Sequence, residues 1–252
     1  ICMLGRSEAE NDYPTDVIAK AYEWYVASSE EDQKELLNSI MSGMPGAYDR
    51  FDIVGLRRAL DTYRGMDAAD IRANYRRFLH EVVPTAQDLG IRLCVHPDDP
   101  PRDILGLPRI VSDADDIAWI MRAYDAPANG LTLCSGSLGA NPGNDVVDIT
   151  YKHSDRIHFV HLRNVRKDPD GSFEEAEHLS GDTNIPALCR ILLGEEKARK
   201  SAGRLDWQIP FRPDHGHELL TDPQKKTFPG YPLIGRLRGL AELRGVLHAL
   251  SA

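Results

Sequence analysis

The feature that most constrains the fold is a fourfold alternation of short apolar runs with longer amphipathic segments, which begins at Ile91. Each run has the length of a buried strand, and each precedes a segment with helical spacing of its apolar residues. The predicted strands are IRLCVHP (91–97), GLTLCSG (130–136), RIHFVHLRN (156–164) and WQIPFRPDHG (207–216), and the predicted helices span 112–124, 145–153, 186–200 and 233–250. Ser112 is the expected cap of the first of these helices. Repeated strand–helix units predict an α/β fold with a parallel sheet, either a barrel or a doubly wound sheet.

The segment before these units, residues 1–90, has a helical pattern. Amphipathic helices are predicted over 16–27, 31–41 and 67–90. Ser28 and Ser29 are candidate caps of the second helix, which is expected to end at 42–46, and Pro84 is expected to kink the third. We therefore divide the chain into a helical segment over 1–90 and strand–helix units over 91–252.

Composition argues against several classes of function. With 252 residues and 42% hydrophobic side chains, the chain can bury a substantial core. A formal net charge of -9 and the scattering of 30 Lys and Arg residues argue against a nucleic-acid partner. No run approaches the ~18 apolar residues of a membrane-spanning helix, and the opening residues turn acidic too early for a signal peptide, so we expect a cytoplasmic protein. The sequence also contains no glycine-rich nucleotide loop and no CxxC pair.

Potential metal ligands stand at the carboxyl end of all four predicted strands. They are His96, Cys134, His161 and Asp214. The carboxyl ends of parallel strands form the edge at which α/β enzymes build their sites. Two imidazoles, a thiolate and a carboxylate suit Zn²⁺, Fe²⁺ or Mn²⁺ better than Mg²⁺ or Ca²⁺, which prefer oxygen ligands. The pattern predicts a metal site at this edge.

Each of these residues also has an ordinary structural explanation when it is taken alone. A histidine in a strand is often hydrogen-bonded for structural reasons, and a buried cysteine is often a small apolar filler. Asp214 could cap a turn. The coincidence of four such residues at one edge is what favours a metal.

Five stretches make the sequence resemble the mannonate dehydratase family from Ile91 to Leu250. They are VHPDDPPRDILGLPRIVS, NGLTLCSGSLGANPGND, RIHFVHLRN, RPDHGHELL and PGYPLIGRLRGLAELRGV. The segment 12–65 is similar to the helical region that precedes the first of these motifs in that family. Members fold as a (β/α)8 TIM barrel and convert D-mannonate to 2-keto-3-deoxy-D-gluconate with a divalent metal, in hexuronate (glucuronate) catabolism.

The resemblance implies roles for individual residues. The metal ligands would be His96, Cys134, His161 and Asp214, with Mn²⁺ or Fe²⁺ as the expected ion and Zn²⁺ as an alternative. His215 and Tyr231 would be catalytic. A homo-oligomer, in the form of a dimer, is expected from the same likeness.

Side-chain chemistry adds three candidate substrate contacts. Arg163 could clamp the substrate carboxylate, because a guanidinium pairs both carboxylate oxygens, although a structural ion pair is the alternative. Ser137 and Arg212 could contact the substrate as well. Tyr231 has an alternative as a core aromatic at the start of the last helix.

Dehydration of a sugar acid requires removal of the proton at carbon 2 and loss of hydroxide from carbon 3. A bound divalent ion is expected to stabilise the negative charge that develops beside the substrate carboxylate. A base and an acid on opposite faces of the substrate would transfer the protons, each contributing roughly 10²- to 10⁴-fold. His215 and Tyr231 are the expected pair, and the residue pattern leaves open which of them is the acid.

Four strands cannot close a barrel of eight. We therefore expect this chain to contain the carboxyl-terminal half of the family's barrel and the helical segment that precedes it. Two other functions stay open: a related metal-dependent sugar isomerase or phosphate-cleaving barrel enzyme, and a non-catalytic protein that binds a metal or a sugar acid. A single carboxylate and a cysteine among the ligands argue against the first, and His215 and Tyr231 argue against the second.

Overall fold

The computed structural model describes residues 1–42, 52–225, 227 and 230–251. The chain divides into two compact units, one formed by 1–71 with 103–109 and the other by 72–102 with 110–252. The boundary that the sequence pattern suggests after residue 90 stays a prediction. Of the predicted helix end at 42–46, residues 43–46 lie outside the described residues.

The first unit is helical, and its helices are α1 (Thr15–Ala27), α2 (Glu30–Ser42) and α3 (Ile53–Asp61). Ser29 caps α2 as predicted, because its hydroxyl accepts from the Asp32 N–H at 3.2 Å while the Asp32 carboxylate accepts from the Ser29 N–H at 2.8 Å. In α3, Leu56 and Leu60 lie one turn apart and are buried against Leu4 and Leu37. This spacing gives α3 an apolar face, which explains why it folds back on the unit.

The helix α4 (Ala68–Asp88) lies mostly in the second unit. It buries Leu79, Val83 and Ala86, which recur at the spacing of one helical face. The helix continues through Pro84 for one more turn, and Gly90 follows with a positive φ of 71°, a conformation that glycine adopts without strain. The predicted end at Gly90 is confirmed.

Short strands and longer helices make up the rest of the second unit. They are β1 (Leu93–Val95), α5 (Ala114–Ala123), β2 (Asn129–Cys134), α6 (Ser135–Gly139), α7 (Val146–Lys152), β3 (Ile157–His161), β4 (Val165–Lys167), β5 (Phe173–Glu175), α8 (Ile185–Ser201), β6 (Phe211–Arg212) and α9 (Leu233–Ser251).

The predicted parallel sheet is confirmed, with strand order β1–β2–β3–β6. All six residues of β2 are buried, as expected for an inner strand covered on both faces. Cys134 pairs with His161, and His161 pairs with Arg212, so that the carboxyl ends of β2, β3 and β6 lie at one level. The sheet therefore brings the predicted site residues to a single edge.

Two local features differ from the sequence predictions. The cap of α5 is Asp113, not Ser112, because the Asp113 carboxylate accepts from the Asp116 N–H at 2.8 Å, three residues further on. The Ser112 hydroxyl instead donates to Asp98 at 3.2 Å. The second difference is an antiparallel hairpin formed by β4 and β5, which the sequence pattern did not predict.

No helix in the described part of the chain is both long and apolar enough to cross a membrane.

Candidate functional site

Three predicted metal ligands converge at the carboxyl edge of the sheet. His96 follows β1, Cys134 ends β2 and His161 ends β3, and one ligand atom of each lies within 4.8 Å of the other two. The Nε2 atom of His96 lies 3.1 Å from Nδ1 of His161. Cys134 and His161 are buried, whereas His96 is exposed. The group is thus open to solvent on the side of His96.

Asp214 borders this group. Its Oδ2 atom lies 3.5 Å from His161 Nδ1 and 3.9 Å from the Cys134 sulfur. Its Oδ1 atom accepts from Arg212 Nη2 at 2.7 Å. Asp214 has a φ of 65°, in the left-handed region that aspartate tolerates better than most residues, and Arg236 Nε donates to its carbonyl oxygen at 2.8 Å. These contacts hold the carboxylate beside the thiol and the imidazole.

The donor atoms fit a divalent transition metal. The Pro97 carbonyl oxygen lies 2.6 Å from His96 Nδ1, so that Nδ1 carries the proton and Nε2 keeps a free lone pair. The Cys134 sulfur accepts from the Ser137 N–H at 3.5 Å and from its hydroxyl at 3.1 Å, and these bonds hold the sulfur in place. A mixed set of nitrogen, sulfur and oxygen donors suits Mn²⁺, Fe²⁺ or Zn²⁺ better than the oxygen-seeking Mg²⁺ or Ca²⁺.

The two predicted catalytic residues lie next to each other and next to Asp214, and not on opposite sides of a gap for the substrate as the sequence analysis expected. His215 Nε2 is 3.1 Å from the Tyr231 hydroxyl and 4.0 Å from Asp214 Oδ2. The other ring nitrogen of His215, Nδ1, is 2.7 Å from Glu175 Oε1. Gly230 has a φ of 81°, and a Cβ atom there would lie 3.1 Å from His215 Nδ1, so a glycine lets the chain pass close to this ring.

The Tyr231 side chain is 36% exposed, which argues against the core-aromatic alternative. Partial burial and the nearby Asp214 carboxylate raise the pKa of Tyr231, whereas Arg212, Arg163 and Arg236 act in the opposite direction. The hydroxyl therefore stays protonated at neutral pH and can donate to His215.

The buried Asp222 fixes the start of the helix that follows Tyr231. Its carboxylate accepts from the Ile234 and Gly235 N–H groups, each at 3.0 Å, at the first turn of α9. The cap thus fixes the start of α9, two residues after Tyr231.

Arg163 forms ion pairs instead of facing an open site. Its Nε and Nη2 atoms donate to the two Glu175 oxygens at 2.9 and 2.6 Å, and Nη1 donates to Asp99. The residue is 4% exposed. Because each of its three nitrogens binds a carboxylate, the geometry corresponds to the structural ion pair and gives no support to a substrate clamp.

The other two candidate substrate contacts differ from each other. Ser137 is fully buried and directs its hydroxyl to the Cys134 sulfur, a geometry that gives no support to a contact with substrate hydroxyls. Arg212 is partly exposed, and its buried Nε atom has no hydrogen-bond partner within the described residues. A substrate contact therefore remains open for Arg212.

Glu175 is the site residue that the sequence analysis missed. It lies in the unpredicted hairpin and contacts both Arg163 and His215. The sequence of this strand, Phe173 followed by two glutamates, has no apolar–polar alternation, and the difference in burial between Glu174 and Glu175 is visible only in the structure.

These features define an α/β protein with a candidate transition-metal centre and a His–Tyr pair at the carboxyl edge of its parallel sheet.

Comparisons with known proteins narrow this class to a family. The family model for D-mannonate dehydratase (UxuA) matches residues 6–252. A mannonate dehydratase from Rhizobium meliloti (strain 1021) is 48% identical over 254 residues, covering 100% of this chain and 63% of the relative. One from Saccharophagus degradans is 43% identical over 254 residues, covering 100% of this chain and 64% of the relative. The chain belongs to the mannonate dehydratase family.

A solved structure agrees with this assignment. The crystal structure of mannonate dehydratase from Streptococcus suis serotype 2 matches with a TM-score of 0.68 and 33% sequence identity, over 83% of this chain and 56% of that chain. The chain thus spans less than two thirds of the length of the relatives it matches.

Proposed function

We propose that the whole protein is a carbon–oxygen hydro-lyase that converts D-mannonate to 2-keto-3-deoxy-D-gluconate and water, in hexuronate catabolism. The observation that carries this proposal is the position of Asp214, whose Oδ2 atom lies between the His96–Cys134–His161 group and the His215–Tyr231 pair. A metal group and a proton-transfer pair thus lie side by side, as dehydration of a sugar acid requires. Family membership supports the choice of substrate.

We infer that His96, Cys134, His161 and Asp214 hold Mn²⁺ or Fe²⁺, with Zn²⁺ as the alternative. When bound, such an ion supplies a Lewis acid for the charge that develops next to the substrate carboxylate. Ser137 donates two hydrogen bonds to the Cys134 sulfur and thereby fixes the position of this ligand atom.

His215 and Tyr231 would transfer the protons. With Nδ1 directed at Glu175, His215 presents Nε2, which can accept the proton from carbon 2. The raised pKa of Tyr231 favours this hydroxyl as the donor to the departing hydroxide, which leaves as water. Each transfer would contribute roughly 10²- to 10⁴-fold to the rate. Arg212 is the proposed substrate contact among the described residues.

We further propose that the sheet of residues 91–252 is part of a (β/α)8 TIM barrel and that residues 1–90 form a helical segment before it. The parallel strand order and the neighbouring mannonate dehydratase structure support this architecture. A cytoplasmic location and a homodimer belong to the same proposal.

The test of the activity uses the whole protein, stripped of metal and then supplied with Mn²⁺ or Fe²⁺. Formation of a 2-keto-3-deoxy acid from D-mannonate only after metal is restored is the expected result. A protein that binds the metal but forms no product would be a binding protein, and conversion of D-mannonate to an isomer would indicate an isomerase.

The proposed residue roles are tested by Tyr231→Phe and His215→Asn. Each should abolish turnover while the bound metal content stays the same. Tyr151→Phe, at an exposed position of α7, is the matched control and should keep full activity. Retained turnover in either site variant would overturn that residue's role.

A further inference from the structure

The hairpin formed by β4 and β5 carries a carboxylate to the side of His215 that faces away from Tyr231. We propose that Glu175 is a positioning residue for the proposed dehydration, because its carboxylate accepts the Nδ1–H of His215 and thereby fixes the ring's tautomer and orientation. The inference rests on the proposed function, and it assigns a role to a residue that lies outside the metal group and the His–Tyr pair.

The geometry determines which ring nitrogen carries the proton. Glu175 Oε1 and His215 Nδ1 are 2.7 Å apart, a distance typical of a strong hydrogen bond to a charged group. An ionised carboxylate can only accept, so the proton of the neutral ring must lie on Nδ1. Nε2 is then the unprotonated nitrogen, and it faces the Tyr231 hydroxyl at 3.1 Å.

The surroundings of Glu175 keep its carboxylate ionised and in place. Burial acts to raise the pKa of Glu175, but hydrogen bonds from His215 and Arg163 outweigh it and lower the pKa below its ordinary value. The Arg163 guanidinium binds both carboxylate oxygens and is itself held by Asp99. Such a bidentate pair restricts the rotation of the carboxylate.

The backbone of the hairpin is anchored to Asn164, the residue that precedes β4. Glu175 pairs with Val165 in the hairpin, and the Ala176 N–H donates to the Asn164 carbonyl oxygen at 3.0 Å. The Asn164 side chain in turn donates to the carbonyl oxygens of His178 and Thr183, at 3.0 and 2.9 Å. Glu175 is therefore held by its backbone as well as by Arg163.

A competing explanation is that Glu175 serves only as the counter-ion of Arg163. Two variants separate the explanations. Glu175→Ala removes the acceptor and the charge, whereas Glu175→Asp keeps the charge near Arg163 but withdraws the carboxylate from Nδ1 by one methylene. Glu174→Ala is the matched control, because Glu174 is the preceding residue of the same strand, is exposed and lies 3.9 Å from Arg166 in a solvent-exposed ion pair.

The experiment measures kcat, KM and metal content of the Mn²⁺-loaded whole protein. It determines the tautomer of His215 by NMR of the protein labelled with ¹⁵N-histidine and loaded with diamagnetic Zn²⁺, with signals assigned by means of His215→Asn. We expect both Glu175 variants to lose roughly 10- to 100-fold in kcat, by analogy with other groups that orient a functional histidine, with metal content unchanged. KM should change by less than about threefold, because the interaction acts on the reacting groups and not on substrate binding. The His215 signals should indicate both tautomers in the variants and only Nδ1 protonation in the parent and in Glu174→Ala.

Parental kcat in Glu175→Asp, or His215 protonated on Nδ1 in both variants, would overturn the proposal and favour the counter-ion explanation. Should Glu175→Ala not fold, Glu175→Asp decides the question alone. If the parent forms no product, the proposed function fails, whereas the NMR comparison still tests the contact between Glu175 and His215.

Discussion

A buried imidazole in β3 should make the stability of the protein depend on pH below neutrality. His158 is 8% exposed, and its Nε2 donates to the Pro127 carbonyl oxygen at 2.8 Å. Its buried Nδ1 atom has no hydrogen-bond partner among the residues that the structure describes. Burial, assisted by Arg199 and Arg92, lowers the pKa of His158 from 6.5 to about 4, although the hydrogen bond to Pro127 acts in the opposite direction.

The sign and the size of the effect follow from this difference. In the unfolded chain the ring binds a proton below about pH 6.5, whereas the folded chain resists protonation until about pH 4. The contribution of His158 to the free energy of unfolding is therefore fully present above pH 6.5 and is lost progressively as the pH falls to about 4. The difference between the two pKa values corresponds to about 3 kcal/mol as an upper value.

Urea unfolding of the parent and of His158→Gln over this pH range measures the effect. The uncharged glutamine can still donate to Pro127, so we expect the variant to lose less stability than the parent between about pH 7 and pH 4.5, by about 2 kcal/mol. His248→Gln, at an exposed position of α9, should retain the parental pH dependence. Parallel stability curves for the parent and His158→Gln would refute the reasoning.

Three further predictions concern the site. A Cβ atom at Gly136 would lie 2.5 Å from Cγ and 2.9 Å from Nε of Arg163. Gly136→Ala should therefore destabilise the protein by about 1–3 kcal/mol in urea unfolding and lower kcat. Unchanged values of both quantities would contradict the tight packing. Ser135→Ala removes a buried hydroxyl that donates to the Arg163 carbonyl oxygen at 2.6 Å. The variant should lose about 1–2 kcal/mol of the free energy of unfolding in the same assay. An unchanged free energy of unfolding would show that the bond is dispensable. Chelation of the metal should lower the melting temperature, and return of Mn²⁺ at 100 times its Kd should stabilise the folded protein by about 2.7 kcal/mol. Cys134→Ser should reduce this stabilisation by Mn²⁺. Identical melting curves with and without Mn²⁺ would count against a metal centre.

Much of the fold could be predicted because its elements have strong local patterns. β2 is a continuous buried run and α4 has an apolar face at helical spacing, and the structure contains both. The hairpin could not be predicted in the same way, since its strands have three residues each and include charged side chains such as Lys167 and Glu175. The stability of such strands comes from their pairing with each other and not from a periodic apolar face.

The candidate site could be predicted in part. His96, Cys134 and His161 were found because parallel strands align their carboxyl ends, which is a property of the fold class. The partners of Arg163 depend on the hairpin, so the choice between a substrate clamp and an ion pair needed the tertiary structure. Long-range contacts of this kind leave little trace in local spacing.

The left-handed turn at Asp214 places two adjacent side chains in different surroundings. The Asp214 carboxylate lies beside Cys134 and His161, whereas the His215 ring lies between Glu175 and Tyr231. Deleting one residue ahead of this turn would bring His215 into the place of the carboxylate and Gly216 into the place of the imidazole. The proposed ion binding and the proposed proton transfer would then be lost together, so we expect the connection after β6 to tolerate neither insertion nor deletion.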